Sequence, residues 1–276
     1  MSNSVQYKGS QTGGLSDTSR GPSPSIWADC PWENLRSGHT DGVTIWDDFT
    51  DGGLITSPTT EAALVGIPYS GFGSSGATIT HGDQAGGTVV LTEATDNEAV
   101  YLKSESHPFQ ISSHLKKLWF EGRVKVNAIT DDQIGFLFGL FDTTPMTVIV
   151  PLSTANPPIF ATTGNFVGFR GPEEDAGGVD STYVADGVTE VVVGALVHQF
   201  VADTYVKFGM VFDPADGNKL SFFVNGVKTA DQKVIPNATG TDFPADVRLA
   251  PIVGHRLGAS TSSLTTLDWW RGAQLI

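Results

Sequence analysis

The stretch YVKFGMVFDPADGNKLSFFVNG, residues 205–226, decides the fold class of this chain. Apolar side chains alternate along 205–212 and again along 219–224, which is the pattern of strands that each present one face to a core. An Asp-Gly pair follows the first segment. Asn225-Gly226 follows the second, and both residues tolerate the positive φ that a tight hairpin turn requires. The stretch therefore predicts antiparallel strands joined by short turns.

The same alternation continues elsewhere in the chain. Along 118–128 the apolar side chains share one face, while Glu121, Arg123 and Lys125 share the other, so this strand belongs to a sheet with one face in water. Residues 133–142 are apolar on both faces, and we expect both faces to be covered. Further strands are predicted at 43–49, 62–66, 77–80, 88–92, 99–102, 146–150, 166–170, 190–200, 247–253 and 264–275.

Turn signals recur at a spacing typical of β-sandwiches, roughly every 8–14 residues. We therefore predict an all-β fold, a two-sheet antiparallel jelly-roll sandwich that occupies residues 43–276. The core between the two sheets is expected to contain the apolar side chains of the clearest strands: Phe136, Phe138, Leu140, Val206, Phe208, Phe212, Phe222 and Val224.

Composition excludes several classes of partner. The 276 residues include 30 acidic and 16 basic ones, a formal net charge of −14. A surface of that sign repels nucleic acid and anionic lipid, so we expect neither a nucleic-acid nor a membrane partner. The sequence shows neither a signal peptide nor an apolar run of the ~20 residues that cross a bilayer, which predicts a soluble protein made in a cytoplasm. Cys30 is the only cysteine, which excludes an intrachain disulfide.

The beginning of the chain has a different character. Residues 1–25 are rich in Ser, Gly, Thr and Pro and lack the apolar content to order themselves in isolation. Residues 1–42 are therefore predicted to form an extended N-terminal arm that precedes the sandwich. Trp27, Trp32 and Leu35 are its anchors, since aromatic side chains in an irregular segment usually dock on a surface. That surface is either the chain's own sandwich or a partner, and the three residues are the candidate partner-binding site.

Three stretches resemble the concanavalin A-like lectin/glucanase superfamily, which includes laminin G-like domains. They are LWFEGRVKV at 118–126, the hairpins of 205–226, and LTTLDWWRGAQLI at 264–276, which resembles a last strand that returns to pair near the chain start. With VTIWDDF at 43–49 as the opening strand, the resemblance covers most of the predicted sandwich. The combination of a polar arm and a sandwich also resembles structural proteins of tailed bacteriophages.

Catalytic residues are not recognisable. Glucanases of this superfamily carry a Glu-x-Asp-x-(x)-Glu strand, which sets two carboxyl groups roughly 5–5.5 Å apart, and this sequence has none. Glu93, Asp96 and Glu98 have reversed spacing in a predicted turn, and Glu121 stands alone on its strand. We therefore predict a protein without enzymatic activity, with a degenerate glycosidase as a remote alternative.

No metal or cofactor is predicted either. The six histidines lack the spacing of zinc ligands, and Cys30 has no motif of a nucleophile around it. Loop carboxylates at 131–132 and 173–175 could supply oxygen ligands to a calcium ion, but they lack EF-hand spacing. Trp269 and Trp270 point in opposite directions if they lie on a strand, so one of them is expected away from the core, against a sugar, a loop or another subunit.

The leading hypothesis is a non-enzymatic structural virion protein, a phage capsid decoration or head-associated subunit. Its expected partners are the major capsid protein or other virion subunits, contacted by the arm, and it is expected to form a homo-oligomer located in the virion. The alternative is a carbohydrate-binding module of a receptor-recognition fibre, which would bind a glycan.

Overall fold

The computed structural model describes residues 17, 19–50, 59–64, 68–74, 76–84, 86–112, 116–130, 133–153, 160–172, 177–235 and 242–276. Predictions for residues 1–16 and for the carboxylates at 131–132 and 173–175 lie outside these ranges. The helices of the described residues are α1 (Pro24–Trp27) and α2 (Trp32–Arg36). The strands are β1 (Gly42–Asp47), β2 (Ala62–Ala63), β3 (Tyr69–Gly73), β4 (Thr78–His81), β5 (Val89–Glu93), β6 (Ala99–Ser104), β7 (Phe109–Gln110), β8 (Leu118–Val126), β9 (Ile134–Phe141), β10 (Phe166–Gly171), β11 (Gly178–Val184), β12 (Val191–Gln199), β13 (Val206–Asp213), β14 (Lys219–Val224), β15 (Val227–Val234), β16 (Arg248–Leu257) and β17 (Ser263–Leu275).

The strands form two antiparallel sheets that pack face to face. The eight-stranded sheet has the order β15-β14-β13-β8-β17-β5-β4, with β1 also paired to β17. The nine-stranded sheet has the order β12-β11-β10-β9-β16-β6-β3-β2, with β7 also paired to β16. The first and last strands are neighbours, as the resemblance implied, since Asp47 lies opposite Trp270. The predicted all-β, two-sheet antiparallel jelly-roll sandwich is confirmed.

The core lies between the two sheets where the alternation predicted it. Seven of the eight predicted core side chains are at most 2% exposed, and Val224 packs half-buried against them. Phe138 of β9 stacks on Phe120 of β8 with ring centroids 5.3 Å apart. On its other face β9 packs Leu137 and Phe141 into a second cluster outside the nine-stranded sheet. This strand is therefore covered on both faces, as expected.

The strand predictions failed where tertiary context outweighs local pattern. β3, β7, β11 and β15 were missed, because YSGFG is glycine-rich and VKTADQKV is polar on both faces, as edge strands often are. The predicted strand at 146–150 is wrong. It is a turn closed by Thr147 and Val150. Its apolar residues Met146 and Val150 are buried because they pack on the outside of the nine-stranded sheet.

Residues 24–36 are not extended, contrary to the prediction of an extended arm over 1–42. Helices α1 and α2 lie on the outer face of the eight-stranded sheet, where Ile26 and Leu35 contact Trp119, Val211 and Ala273. The face of β8 expected in water is consequently covered there, with Trp119 1% exposed and Glu121 0% exposed. The division into an arm and a sandwich at 42/43 stays a prediction. No helix of the described residues is long and apolar enough to cross a membrane.

Candidate functional site

The outer face of the eight-stranded sheet carries a docked segment, residues 19–36. Glu121 on β8 accepts two hydrogen bonds through Oε2, from the Ser23 backbone N–H at 2.9 Å and from the Trp27 indole Nε1–H at 2.7 Å. Lys207 on β13 donates from Nζ to a backbone carbonyl of the segment at 3.0 Å. Side chains of the sheet thus satisfy polar groups of a segment that belongs to no described strand.

Apolar side chains hold the same segment on the sheet. Trp27 is 9% exposed and Leu35 is 7% exposed, whereas Trp32 is half-buried. The structure therefore places all three residues of the predicted partner-binding site on the chain's own sheet, and covers two of them there. Whether these residues also bind a partner stays a prediction.

An ionic anchor fixes the start of the docked segment. In β17 the register shifts between Leu267 and Trp269, and this bulge brings both Asp268 and Trp269 to the outer face. The buried Asp268 carboxylate pairs with Arg123 of β8 and with Arg20, whose Nη2 lies 2.5 Å from Oδ1. The Trp269 Nε1–H donates to the carbonyl oxygen of Arg20 at 2.7 Å. The bulge therefore forms the site that receives Arg20.

Four tryptophans, Trp27, Trp32, Trp46 and Trp269, meet beside this anchor and are called the tryptophan cluster. Trp46 of β1 stacks on Trp269 of β17 with centroids 6.0 Å apart and an interplanar angle of 9°. Trp32 of α2 meets Trp46 edge-on at 6.3 Å, and Trp27 meets Trp32 at 5.7 Å. Trp46 is nevertheless 45% exposed. The cluster thus holds one indole ring in place while leaving nearly half of its surface to solvent.

The guanidinium group of Arg271 lies within the tryptophan cluster. Its central carbon is 3.7 Å from the ring centroid of Trp32, 4.2 Å from that of Trp27 and 5.2 Å from that of Trp46. Aromatic faces attract a cation by about 0.5–2 kcal/mol per contact. Burial lowers the pKa of Arg271 to about 10, because the rings displace water from the charge. The group still carries its proton at neutral pH.

Paired carboxylates are not a feature of the described strands, none of which carries more than one Asp or Glu. Glu121 is engaged with the docked segment, and burial raises its pKa, partly opposed by the hydrogen bonds it accepts. Outside the nine-stranded sheet, Asp180 and Glu190 lie 3.6 Å and 3.0 Å from the guanidinium of Arg170, which compensates their charge. These carboxylates are therefore held by structural partners.

His255 and Cys30 lie in environments that favour their uncharged forms. No group of three or more His, Cys, Asp or Glu side chains among the described residues is placed to hold a metal ion. His255 lies in the core with its Nδ1 2.9 Å from the Thr265 Oγ1, and burial lowers its pKa to about 3. Burial raises the pKa of the Cys30 thiol to about 12, which disfavours the reactive thiolate.

Sequence reasoning missed Trp46 and Arg271 as site residues. Both lie on strands that were predicted, and those strands were expected to pair. The missing information was the register, which sets Trp46 opposite Arg271, and the bulge at Asp268, which turns Trp269 outward. Neither can be read from alternation alone.

Solved structures share this fold, whereas no protein-family model and no curated protein matches the sequence. A protein of unknown function from Shewanella oneidensis MR-1 is 12% identical with a TM-score of 0.54, over 89% of this chain and 94% of that one. A non-specific endo-β-1,3(4)-glucanase of family GH16 is 10% identical with a TM-score of 0.54, over 86% and 92%. Peanut lectin is 16% identical with a TM-score of 0.53, over 85% and 97%. At these identities the likeness defines the fold alone, which is the jelly roll of concanavalin A-like lectins and glucanases.

Proposed function

We propose that this chain is a non-catalytic carbohydrate-binding protein and that Trp46 is the residue on which a sugar ring stacks. The observation that carries the proposal is the 45% exposure of an indole fixed by a parallel stack on Trp269. The C–H groups of a pyranose ring pack against an aromatic face and displace water from it. Because Trp46 is already held by its neighbours, binding would cost little of the ~0.5–1.5 kcal/mol needed to immobilise a free side chain.

The absence of catalysis is part of the proposal. It is supported by the described strands, each of which carries at most one carboxylate. Retaining glycosidases need two carboxyl groups roughly 5–5.5 Å apart, and the candidate beneath the docked segment, Glu121, accepts hydrogen bonds from Ser23 and Trp27. Because a lectin and a glucanase share this fold, the non-catalytic part of the proposal rests on the carboxylates alone.

A glycan array followed by calorimetry on its best ligand tests the proposal. Trp46→Ala is expected to lower affinity at least about tenfold, the loss expected when a stacked aromatic contact is removed. The matched control is Leu196→Ala, since Leu196 is 55% exposed on β12, outside the tryptophan cluster. Unchanged affinity in Trp46→Ala, or an equal loss in both variants, would reject Trp46 as the sugar-binding residue. Release of shorter sugars from the bound glycan would reject the non-catalytic part.

The second candidate is a structural subunit of a virion, with a capsid protein or further copies of the chain as partners. It is favoured by the cleft of about 450 Å³ between the edge strands β12 and β15. Leu196 and Val227 line this cleft and are 55% and 69% exposed, and exposed apolar side chains grouped at one place are typical of protein interfaces. Light scattering over a concentration series tests it. If the chain stays monomeric at all concentrations and does not bind to capsid particles, this candidate is rejected.

A further inference from the structure

Arg271 differs from the other largely buried arginines of the described chain in lacking a polar partner. Arg123 pairs with Asp268, Arg170 with Glu190, and Arg256 donates to backbone and side-chain oxygens of Asn97. No Asp or Glu of the described residues forms an ion pair with Arg271. Its buried Nε–H has no hydrogen-bond acceptor there either.

The nearest acidic side chain in the strand register forms no ion pair with Arg271. Glu121 lies across from it on β8, but its Oε2 atom accepts from Ser23 and Trp27 and its Oε1 atom is buried without a hydrogen-bond partner among the described residues. Aromatic rings stabilise the guanidinium charge, yet they accept none of its in-plane N–H groups in ordinary hydrogen bonds. A partly dehydrated guanidinium with free donors binds a carboxylate strongly, because the fork of two N–H groups matches two carboxylate oxygens.

The exposed indole and the unpartnered cation are neighbours. Trp46 and Arg271 lie opposite each other on β1 and β17, and the guanidinium carbon is 5.2 Å from the Trp46 ring centroid. A sugar ring in contact with an aromatic face lies about 4 Å from it. In a uronic acid the carboxylate is attached directly to the ring and projects from its edge, so stacking on Trp46 would bring that group close to the Arg271 guanidinium.

We propose that Arg271 is the carboxylate-binding residue of this site and that the preferred ligand is a uronic acid unit stacked on Trp46. The inference rests on the proposed carbohydrate-binding function and specifies its ligand class. The formal net charge of −14 repels an acidic glycan at long range. Selection for acidic sugars therefore depends on direct contact with Arg271.

The test compares two oligosaccharides of equal length, β-1,4-linked tetraglucuronate and cellotetraose. Each ring of the first carries a carboxylate where each ring of the second carries a hydroxymethyl group. Calorimetry on the full chain is expected to show tetraglucuronate bound at least about tenfold more tightly, the increment of a charge-assisted pair. Arg271→Gln is expected to abolish this preference, so that the affinities of the variant for the two oligosaccharides differ by less than about twofold. Trp46→Ala is expected to weaken both ligands.

Arg271→Lys provides the second variant, because it keeps the cation among the rings while removing the planar fork. It is expected to fold as the native chain does and to lose most of the preference. Arg248→Gln, an exposed arginine on β16, is the control and should change neither affinity. Equal binding of both oligosaccharides by the native chain, or equal losses in Arg271→Gln, would overturn the inference while leaving the proposed function standing. Binding of neither oligosaccharide, together with a blank glycan array, would overturn both.

Discussion

Ile26 of the docked segment lies directly on Gly209 of β13. A β-carbon at position 209 would come within 2.5 Å of the Ile26 Cδ1 atom, and Ile26 is only 2% exposed. The bare backbone of Gly209 is therefore the floor on which Ile26 packs. Since position 209 faces outward, away from the core between the sheets, one glycine links the segment to the sheet without taking part in that core.

Gly209→Val is expected to displace Ile26 and detach the docked segment while the sandwich stays folded. Overpacking of this kind typically costs about 1–3 kcal/mol. Hydrogen exchange should show protection lost over 23–36 and retained in β9 and β13. Ile26→Ala provides the control, because it removes the atoms with which a β-carbon at position 209 would clash. Gly209→Ala should therefore lower the free energy of unfolding less in the Ile26→Ala background than in the native chain. Full protection of 23–36 in Gly209→Val would contradict this packing.

Glu121→Gln tests the buried carboxyl group that accepts hydrogen bonds from Ser23 and Trp27. Burial raises the pKa of Glu121, so its contribution to stability is present below its unfolded pKa of about 4.3 and is lost as the pH rises through the folded value. Glutamine keeps an oxygen acceptor and does not titrate. We expect the variant to gain stability relative to the native chain as the pH rises from about 4 to about 7. Urea unfolding across that range measures the difference in unfolding free energy between the variant and the native chain. A difference that stays constant with pH would contradict this prediction.

The inter-sheet core could be predicted because it depends on a local property, the period-2 alternation of residues such as Phe208 and Phe222. The hairpin turn could be predicted as well, because Asn and Gly tolerate positive φ. In the structure Asn225 and Gly226 have φ values of 49° and 77°. The strand β15 beyond that turn was missed because an edge strand in water needs no apolar face.

The candidate site could be predicted only in part, because it depends on contacts between distant segments. Trp27 and Leu35 were identified as docking residues, but the surface that receives them is built from β8, β13 and β17. Trp119 shares the polar face of β8 with Glu121 and Arg123, yet nothing local indicated that the segment would cover it. The bulge at Asp268 has no signature in DWW, although it determines where Trp269 points.

His255→Gln tests the histidine in the core. Burial lowers the pKa of His255 to about 3, so the native state resists a proton that the unfolded chain binds below about pH 6.5. The stability contributed by the neutral ring is present above that pH and is lost as the pH falls toward 3, by up to about 1.4 kcal/mol per pH unit. We expect His255→Gln to flatten the acid limb of the stability profile. His39→Gln, an exposed control, should leave that limb unchanged.

Phe208→Ala tests the register of the hairpin that decided the fold. Phe208 is 0% exposed and lies 4.6 Å from Phe169 and 5.7 Å from Phe200, measured between ring centroids. Truncation of such a side chain typically costs about 3–5 kcal/mol, because the rings around it cannot close the cavity. Phe223 on β14 is the matched control, since it pairs opposite Gly209 on the outer face and is only half-buried. Urea unfolding should show a much larger loss for Phe208→Ala than for Phe223→Ala. Equal losses, or the reverse order, would mean that β13 and β14 present their opposite faces to the core.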